Sequence, residues 1–245
     1  MLSAVVPQLS PVRYHRQVAT PSTRERIVRS AAALLAEGGR EAVSTRSVSA
    51  AAGVQSPAIY RHFVDMRALL DAVAEHGFED YLLRKGALAP SGDPVEDLRR
   101  GWDLHVEFGV SHPALYSLAY GQGQPGVQTP AAEKASAILA AQIKAIALAG
   151  RLQMSEGTAA HLVHAAGCGV TFTLISMPQD QRDPDLSARA REAAIAAVTT
   201  DGGPGDVGRG RRGTVVAMRA MAPELTELSD AERALLAEWM ERASR

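Results

Sequence analysis

The feature that most constrains the fold is a helical spacing of apolar residues that repeats along almost the whole chain. The first segment has apolar residues at the i, i+1, i+4, i+7, i+8 positions of one helix face, namely Ile27, Val28, Ala31, Leu34 and Leu35. It begins at a capping box, Ser22 to Glu25, and ends at Gly38 and Gly39. No segment alternates apolar and polar residues long enough to predict a strand. The sequence therefore predicts an all-α protein.

Beyond residue 65 the same spacing predicts a longer series of helices. Asp65 is the N-cap of one helix, and a capping box at Ser229 begins the last one. The helices between are predicted over residues 66–85, 94–111, 113–120, 131–150, 155–177 and 186–200. A glycine-rich stretch at 201–213 has the composition of a flexible linker. We predict a flexible N-terminal arm over 1–20, a small domain over 21–65, a helical body over 66–200 and a linker with a helical extension over 201–245.

Cysteine content and hydropathy restrict the compartment. The one cysteine, Cys168, cannot form an internal disulfide, which excludes a disulfide-rich secreted scaffold. The N-terminus has no basic stretch followed by an apolar run, so no signal peptide is predicted. Residues 157–179 have no formal charge, but His161, His164, Thr171, Thr173 and three glycines favour a buried bundle helix over a membrane span. We expect a cytoplasmic protein without a membrane segment.

The net charge of −1 hides an uneven distribution along the chain. Residues 1–63 contain eight Arg and three Glu, a net charge of +5, and the remaining residues carry a net charge of −6. This distribution indicates a polyanionic partner for the first quarter and a different role for the rest.

The basic quarter contains a helix, a glycine turn and a short second helix, which is the helix-turn-helix arrangement. It runs from Thr45 to Phe63 with Gly53 in the turn, where glycine allows a backbone conformation that a Cβ would hinder. The second helix is predicted to begin with Ser56 as N-cap and Pro57 at its first position. The outward side chains near its start can meet base edges in a major groove, namely Gln55, Ser56, Pro57 and Ala58. Tyr60, Arg61 and His62 suit phosphate oxygens, so the segment predicts contact with double-stranded DNA.

These residues resemble the N-terminal DNA-binding domain of TetR-family transcriptional regulators. The resemblance rests on Ala-Ala-Gly-Val at 51–54, Ala-Ile-Tyr-Arg-His-Phe at 58–63, and Asp65 through Leu69. A weaker similarity to the C-terminal domain of one TetR subgroup rests on residues 111–116 and 164–167. The resemblance implies a three-helix DNA-binding domain followed by a helical ligand-binding and dimerisation domain.

The resemblance also implies a role for each residue of the motif. Ser44 and Thr45 would cap the second helix and touch a phosphate, and Arg46 would reach the backbone or a base edge. Gln55, Ser56 and Ala58 would read bases, with Pro57 at a thymine methyl. Tyr60 and His62 would bind phosphates, and Phe63 would hold the third helix against the first. Met66 departs from the family, which commonly has a phosphate-binding lysine two or three residues after the phenylalanine.

For the helical body, the resemblance implies a small-molecule cavity and a dimerisation face. Candidates for the cavity lining combine apolar bulk with a few polar tips, namely Trp102, His105, Phe108, Leu115, Tyr116, His161 and Phe172. The dimer face is predicted on helices 155–177 and 186–200, where Ala165, Gly167 and Gly169 allow close approach and small residues recur at helical spacing. The expected protein is a homodimeric repressor that a small molecule releases from a palindromic operator.

Two alternatives from other classes remain open. His161, His164 and Cys168 lie within about 60° of one another on a helix, so they could hold zinc or copper in a metal sensor or a helical metalloenzyme. A fourth ligand is not visible nearby, and no catalytic motif is present, so neither an enzyme nor a cofactor is predicted. The second alternative is a helical interaction module whose apolar faces bind another protein.

Overall fold

The computed structural model describes residues 21–121, 128–200 and 211–243. Within these ranges the chain is helical and contains no β-strand, and its one β-bridge joins Leu152 to Thr199. The helices are α1 (Thr23–Gly38), α2 (Thr45–Ala52), α3 (Ser56–His62), α4 (Met66–Gly86), α5 (Pro94–Ser111), α6 (Pro113–Tyr120), α7 (Pro130–Leu148), α8 (Glu156–Ser176), α9 (Leu186–Val198), α10 (Arg211–Met221) and α11 (Asp230–Ala243). The all-α prediction is confirmed.

Helices α1, α2 and α3 form a small head whose turns follow from local chemistry. The predicted capping box is present, because the Ser22 hydroxyl accepts from the Glu25 amide and the Glu25 carboxylate accepts from the Ser22 amide. Gly53 ends α2 with φ 64° and ψ 41°, the left-handed conformation that glycine adopts without a steric penalty. Apolar side chains from all three helices then close one core, namely Ile27, Leu35, Val48, Ile59 and Phe63.

Helix α4 connects the head to the body of the protein. The Asp65 carboxylate caps it by accepting from the Ala68 amide at 2.7 Å. Its 21 residues span about 31 Å, so its first turns pack on α1 and its later turns reach α5, α6 and α7. Near its middle, Leu115 of α6 fits against Gly77 so closely that a Cβ there would lie 2.6 Å from Leu115 Cδ1. Head and body are therefore joined by one uninterrupted helix.

The body packs α8 against α5, α7 and α9 around a second apolar core. Two backbone hydrogen bonds hold the end of α9 to the loop before α8, from the Gln153 amide to the Val198 carbonyl and from the Thr200 amide to the Arg151 carbonyl, both 2.9 Å. α10 packs on α7, and α11 packs on α10 with no fully buried residue of its own. The body is thus a bundle around α7 and α8, with α11 outermost.

Two sequence expectations differ from the structure at helix ends. Gln55, rather than Ser56, is the N-cap of α3, because the Ser56 hydroxyl instead pairs with the Ser49 hydroxyl of α2 at 3.2 Å. α10 begins at Arg211 and includes the last three residues of the predicted linker, while 201–210 and the predicted arm 1–20 lie outside the described residues. A Cβ at Gly213 would lie 3.3 Å from the Gly150 carbonyl oxygen, so this glycine serves close packing rather than flexibility.

Among the described residues, α8 is long and apolar enough to cross a membrane by length and composition alone. A core helix of a bundle passes the same test, and α8 has such a buried side made by Val163, Gly167, Val170 and Leu174. Its opposite side exposes Ala165, Gly169 and Thr173. Gly167, which we predicted on the dimer face, instead faces Trp102 and His105 inside the protomer.

Candidate functional site

The predicted DNA-contacting residues lie on the surface of the head. Seven of the nine are exposed, namely Ser44, Arg46, Gln55, Ser56, Pro57, Tyr60 and His62, and two are half-buried, namely Thr45 and Ala58. Tyr60 keeps 52% of its surface exposed although it is a large aromatic residue in a helix only seven residues long. The buried residues of α3 and its C-cap, Ile59 and Phe63, anchor the helix and leave its other side free.

A hydroxyl contact fixes the two helices of this surface relative to each other. Thr45 Oγ1 and Tyr60 Oη are 3.0 Å apart, which joins the first turn of α2 to α3. Ser44 caps α2 in a capping box with Ser47: the Ser44 hydroxyl accepts from the Ser47 amide at 3.1 Å, and the Ser44 amide donates to the Ser47 hydroxyl at 2.9 Å. Thr45, which we expected to share the cap, bonds Tyr60 instead because its side chain points toward α3. This contact positions the Tyr60 hydroxyl.

The electrostatics of this surface suit an anion. The sequence from Ser44 to Val64 contains Arg46, Arg61 and His62 but no acidic residue. The N-terminus of α2 adds the partial positive charge of its helix dipole. Met66, at the position where the family commonly has a lysine, is half-buried against the head core, so no charge is presented there.

An internal cavity of about 30 Å³ lies in the body, at the end of α4 distant from the head. Helices α4 to α8 all contribute to its wall. Its polar lining is Lys85, His105, Tyr120, Ser136, Gln142 and His164, and its apolar lining includes Leu98, Trp102, Leu139 and Val163. The space is enough for about two water molecules.

A larger groove of about 590 Å³ lies on the outside, between α1, α4 and α7. It is open to solvent, and its charged side chains are of both signs, namely Arg24, Glu25, Arg29, Glu75, Glu79 and Lys134. Lys134 and Glu75 pair with each other across it. The smaller internal cavity is the better candidate for a small molecule, because it lies between five helices and its polar groups converge.

A chain of hydrogen bonds runs along one side of the cavity. Lys85 Nζ donates to Tyr81 Oη at 3.0 Å, Tyr81 Oη lies 3.3 Å from His105 Nδ1, and His105 Nε2 lies 2.8 Å from Tyr116 Oη. Burial lowers the pKa of Lys85 to about 8 and that of His105 to about 3. Burial also raises the pKa of the Tyr81 and Tyr116 phenols and of the Cys168 thiol. At neutral pH the histidine, phenols and thiol are therefore uncharged, and the lysine is charged.

The structure places the predicted cavity residues at three depths. Trp102 and His105 line the cavity. Tyr116 is fully buried behind His105, and three more pack in the surrounding core, namely Phe108, Leu115 and Phe172. His161 is exposed, because α8 turns its residues 163, 164 and 167 to the cavity and leaves 161 outside that arc. Of the seven predicted lining residues, two therefore line this cavity, and their role in ligand binding stays a prediction.

Sequence reasoning missed Lys85, Tyr120 and Gln142. A signal for Lys85 was available, since it continues the buried spacing of α4 at i, i+4, i+7 and i+11, namely Ala74, Phe78, Tyr81 and Lys85. A lysine in the last turn of a helix is more often a solvated partner of the helix dipole, so the spacing alone does not indicate burial. Gln142 had no comparable signal on α7.

The proposed metal ligands are only partly brought together. The sulfur of Cys168 lies 3.6 Å from His164 Nε2, whereas His161 is on the exposed side of α8. Across the described ranges, no group of three His, Cys, Asp or Glu side chains could hold a metal ion. Nothing in this geometry favours the metal-binding alternative.

The fold and the exposed α3 define the class as a helix-turn-helix protein with an appended helical body. Residues 27–73 match the family model described as bacterial regulatory proteins, tetR family. This N-terminal segment is similar to the DNA-binding domain of the tetR family, as the sequence motifs predicted. It is 50% identical over 52 residues to the tetracycline repressor protein class C of Escherichia coli, which is 21% of this chain and 24% of that protein. The chain thus matches about a quarter of the length of this curated relative.

Solved structures extend the likeness in fold to the body. A protein of unknown function from Rhodococcus sp. RHA1 has a TM-score of 0.62 and 23% identity, covering 76% of this chain and all of that one. A TetR variant from Acinetobacter baumannii AYE, solved in complex with minocycline, has a TM-score of 0.50 and 23% identity over 70% of this chain and 93% of its own. At this identity the likeness concerns the fold alone.

Proposed function

We propose that this protein is a transcriptional regulator that binds double-stranded DNA through α2 and α3. The observation that carries the proposal is the exposed, acid-free surface of α3 within a tetR-family head. Gln55, Ser56 and Ala58 read base edges, Pro57 contacts a thymine methyl, and Tyr60 and His62 bind phosphates. Ser44, Thr45 and Arg46 contact the backbone at the start of α2.

A second copy of the chain supplies the other half of the DNA site in this proposal. The exposed small residues of α8 and α9 form the dimer face, with Ala165 and Gly169 on one helix and Ala193 and Ala197 on the other. Two heads related by a two-fold axis bind half-sites one helical turn apart, so the operator is an inverted repeat. Analytical ultracentrifugation checks the face, because Ala165→Arg is expected to yield monomers and Ala36→Arg, an exposed site on α1, is not.

The regulator acts as a repressor that a small molecule releases, by analogy with its relatives. One relative is named a tetracycline repressor, and a solved neighbour holds minocycline. α4 offers the connection, since it starts directly after α3 and ends at the internal cavity with Lys85. An effector that binds the released state more tightly shifts α4 and changes the separation of the two heads. Such a protein acts in the cytoplasm, where its operator is.

Selection of duplexes from a random pool at low ionic strength, followed by footprinting, tests the proposal. The expected product is an inverted repeat that the protein prefers over a scrambled duplex of the same composition. A variant with Tyr60→Ala and His62→Ala serves as the control for binding through α3, because both side chains are exposed and their loss leaves the core intact. If wild type retains no duplex in preference to scrambled competitor, the proposal is wrong.

A further inference from the structure

We propose that the internal cavity selects an organic acid, whose carboxylate is bound by Lys85. The inference deepens the proposed function and rests on it, since the acid is the effector of the regulator. Three independent features of the cavity indicate the chemistry of this ligand. They are a buried ammonium without a counter-ion among the described residues, a hydrogen-bond chain of fixed direction, and an amide oxygen without a partner among those residues.

The first feature is the position of the Lys85 ammonium. The residue is 7% exposed in the last turn of α4, and it lines the cavity. None of the ion pairs between described residues includes Lys85, and its one hydrogen bond within those residues is to the neutral Tyr81 hydroxyl. The sequence 122–127, which follows α6, also contains no acidic residue. Burying an ammonium without a carboxylate is costly, and a bound anion offsets this cost.

Among the described side chains around the cavity, the Lys85 ammonium is the one group that is charged at neutral pH. His105 on α5 and His164 on α8 have pKa values lowered by burial. Tyr81 on α4, Tyr120 on α6 and Cys168 on α8 have pKa values raised by burial, so they stay protonated. No described side chain around the cavity can therefore neutralise Lys85 at pH 7, and an anionic ligand meets no negative charge from these side chains.

The second feature is the direction of the hydrogen bonds. An ammonium can only donate, so the Tyr81 oxygen accepts from Lys85 and its own proton is directed to His105 Nδ1. Neutral His105 then carries its proton on Nε2 and donates it to Tyr116 Oη. In this arrangement Tyr81 is hydrogen-bonded to His105, and His105 to Tyr116. The remaining Lys85 protons are then available as charged donors, and an acceptor with negative charge suits them best.

The third feature is the amide of Gln142 on α7. Its Nε2 donates to the Asp97 carbonyl at 3.1 Å, which fixes the orientation of the amide. Its Oε1 is buried and has no hydrogen-bond partner among the described residues, and Gln142 lines the cavity. Gly101 makes room for this amide, because a Cβ there would lie 2.7 Å from Gln142 Nε2. A ligand with a hydroxyl or N–H group would satisfy the orphaned oxygen.

Together these features describe a carboxylic acid with a donor group and an apolar body, which would pack against Leu98, Trp102 and Val163. The cavity of about 30 Å³ holds little more than two waters, so binding of such an acid has to expand it. The walls come from five helices that include α4, and expansion therefore displaces the helix that leads to the head.

The test compares acids with their uncharged amides on the full chain. The probes are benzoate with benzamide, 3-hydroxybenzoate with 3-hydroxybenzamide, and butanoate with butanamide, each titrated at pH 7.5 to tens of millimolar. Trp239→Phe leaves Trp102, which lines the cavity, as the single fluorescent reporter. We expect at least one acid to bind about tenfold more tightly than its amide. The hydroxybenzoate is expected to bind more tightly than benzoate.

Lys85→Met is then expected to remove the preference for the acid, whereas the matched Lys134→Met, at an exposed lysine paired with Glu75, keeps it. Acids and amides that bind alike in wild type, or no binding by any probe, would overturn the inference without any variant having to fold. A retained acid preference in Lys85→Met would overturn it as well. Operator binding without acid binding contradicts only this inference, and acid binding without an operator contradicts only the proposed function.

Discussion

Substitution of Tyr116 by Phe tests whether the buried hydrogen-bond chain has the direction deduced above. Tyr116 is fully buried on α6, and its hydroxyl lies 2.8 Å from His105 Nε2. Removing the hydroxyl leaves the ring in place, with its edge contact to Phe172 at 5.1 Å between centroids. The substitution therefore removes the acceptor of one bond while the packing stays almost unchanged.

The expected loss follows from the donor that remains. If the Tyr81 proton is directed to His105 Nδ1, the proton of neutral His105 is on Nε2 and loses its acceptor in a site where His105 is only 9% exposed. A buried donor without a partner costs about 1–3 kcal/mol in the free energy of unfolding. For a chain of this size each kcal/mol lowers the Tm by about 2–4 °C, so we expect a decrease of about 2–12 °C.

Thermal and urea unfolding followed by circular dichroism at pH 7.5 measure this loss. Tyr60→Phe is the matched control, because the Tyr60 hydroxyl is exposed and bonds only Thr45 among the described residues. It should keep the Tm and weaken binding to every duplex alike. A Tyr116→Phe variant with the Tm and urea midpoint of wild type would refute the argument, since His105 would then have another acceptor.

Three further predictions address the head, the pH response and the packing of the body. Gln55→Ala is expected to relax base preference at one symmetric pair of operator positions by about 1–3 kcal/mol, and equal losses on specific and random duplex would remove Gln55 from the reading surface. His105 has a pKa of about 3 when folded against 6.5 in its ordinary state, so the unfolded chain binds the proton first as the pH falls. The free energy of unfolding should therefore decrease from pH 6.5 toward pH 3 by at most about 1.4 kcal/mol per pH unit. Urea unfolding measured across this range should give a smaller slope for His105→Phe. Parallel plots of unfolding free energy against pH for the two proteins would contradict the prediction. Gly109→Ala would place a Cβ 2.7 Å from Tyr116 Cδ2 and overlapping Thr171 Cγ2, which should lower stability by about 1–3 kcal/mol in urea unfolding. Gly157→Ala, where the Cβ enters open space, should leave stability unchanged or slightly higher, and a similar loss in both variants would show that overlap is not the cause.

The sequence predicted most helices well because their ends are determined locally. Pro94 and Pro113 begin α5 and α6 at the expected residues, since proline at the first turn loses no hydrogen bond. The caps at Ser22, Ser44 and Asp65 are likewise set by side chains within three residues. Local chemistry did not predict the start of α10, because its one glycine, Gly213, continues the glycine-rich stretch 201–213 and its packing against residue 150 is not visible in the sequence.

The cavity could be predicted only in part, because it depends on which side of each helix faces inward. The spacing of His161, His164 and Cys168 shows that they lie on one side of α8. It does not show which part of that side faces α5 and α7. Packing turned His164 toward the cavity and left His161 in solvent. In the same way, only the approach of α5, α7 and α8 buries Lys85, a residue that its own helix would allow to reach water.

The close fit of Leu115 over Gly77 gives α4 a fulcrum. At 1.5 Å per residue, the arm toward Met66 is about 16 Å long and the arm toward Lys85 about 12 Å. A rigid tilt about this point therefore moves the two ends in opposite directions and enlarges a displacement of about 1 Å beside Lys85 to about 1.4 Å next to the head. A bulkier residue at position 77 would displace Leu115 and remove the contact about which α4 tilts.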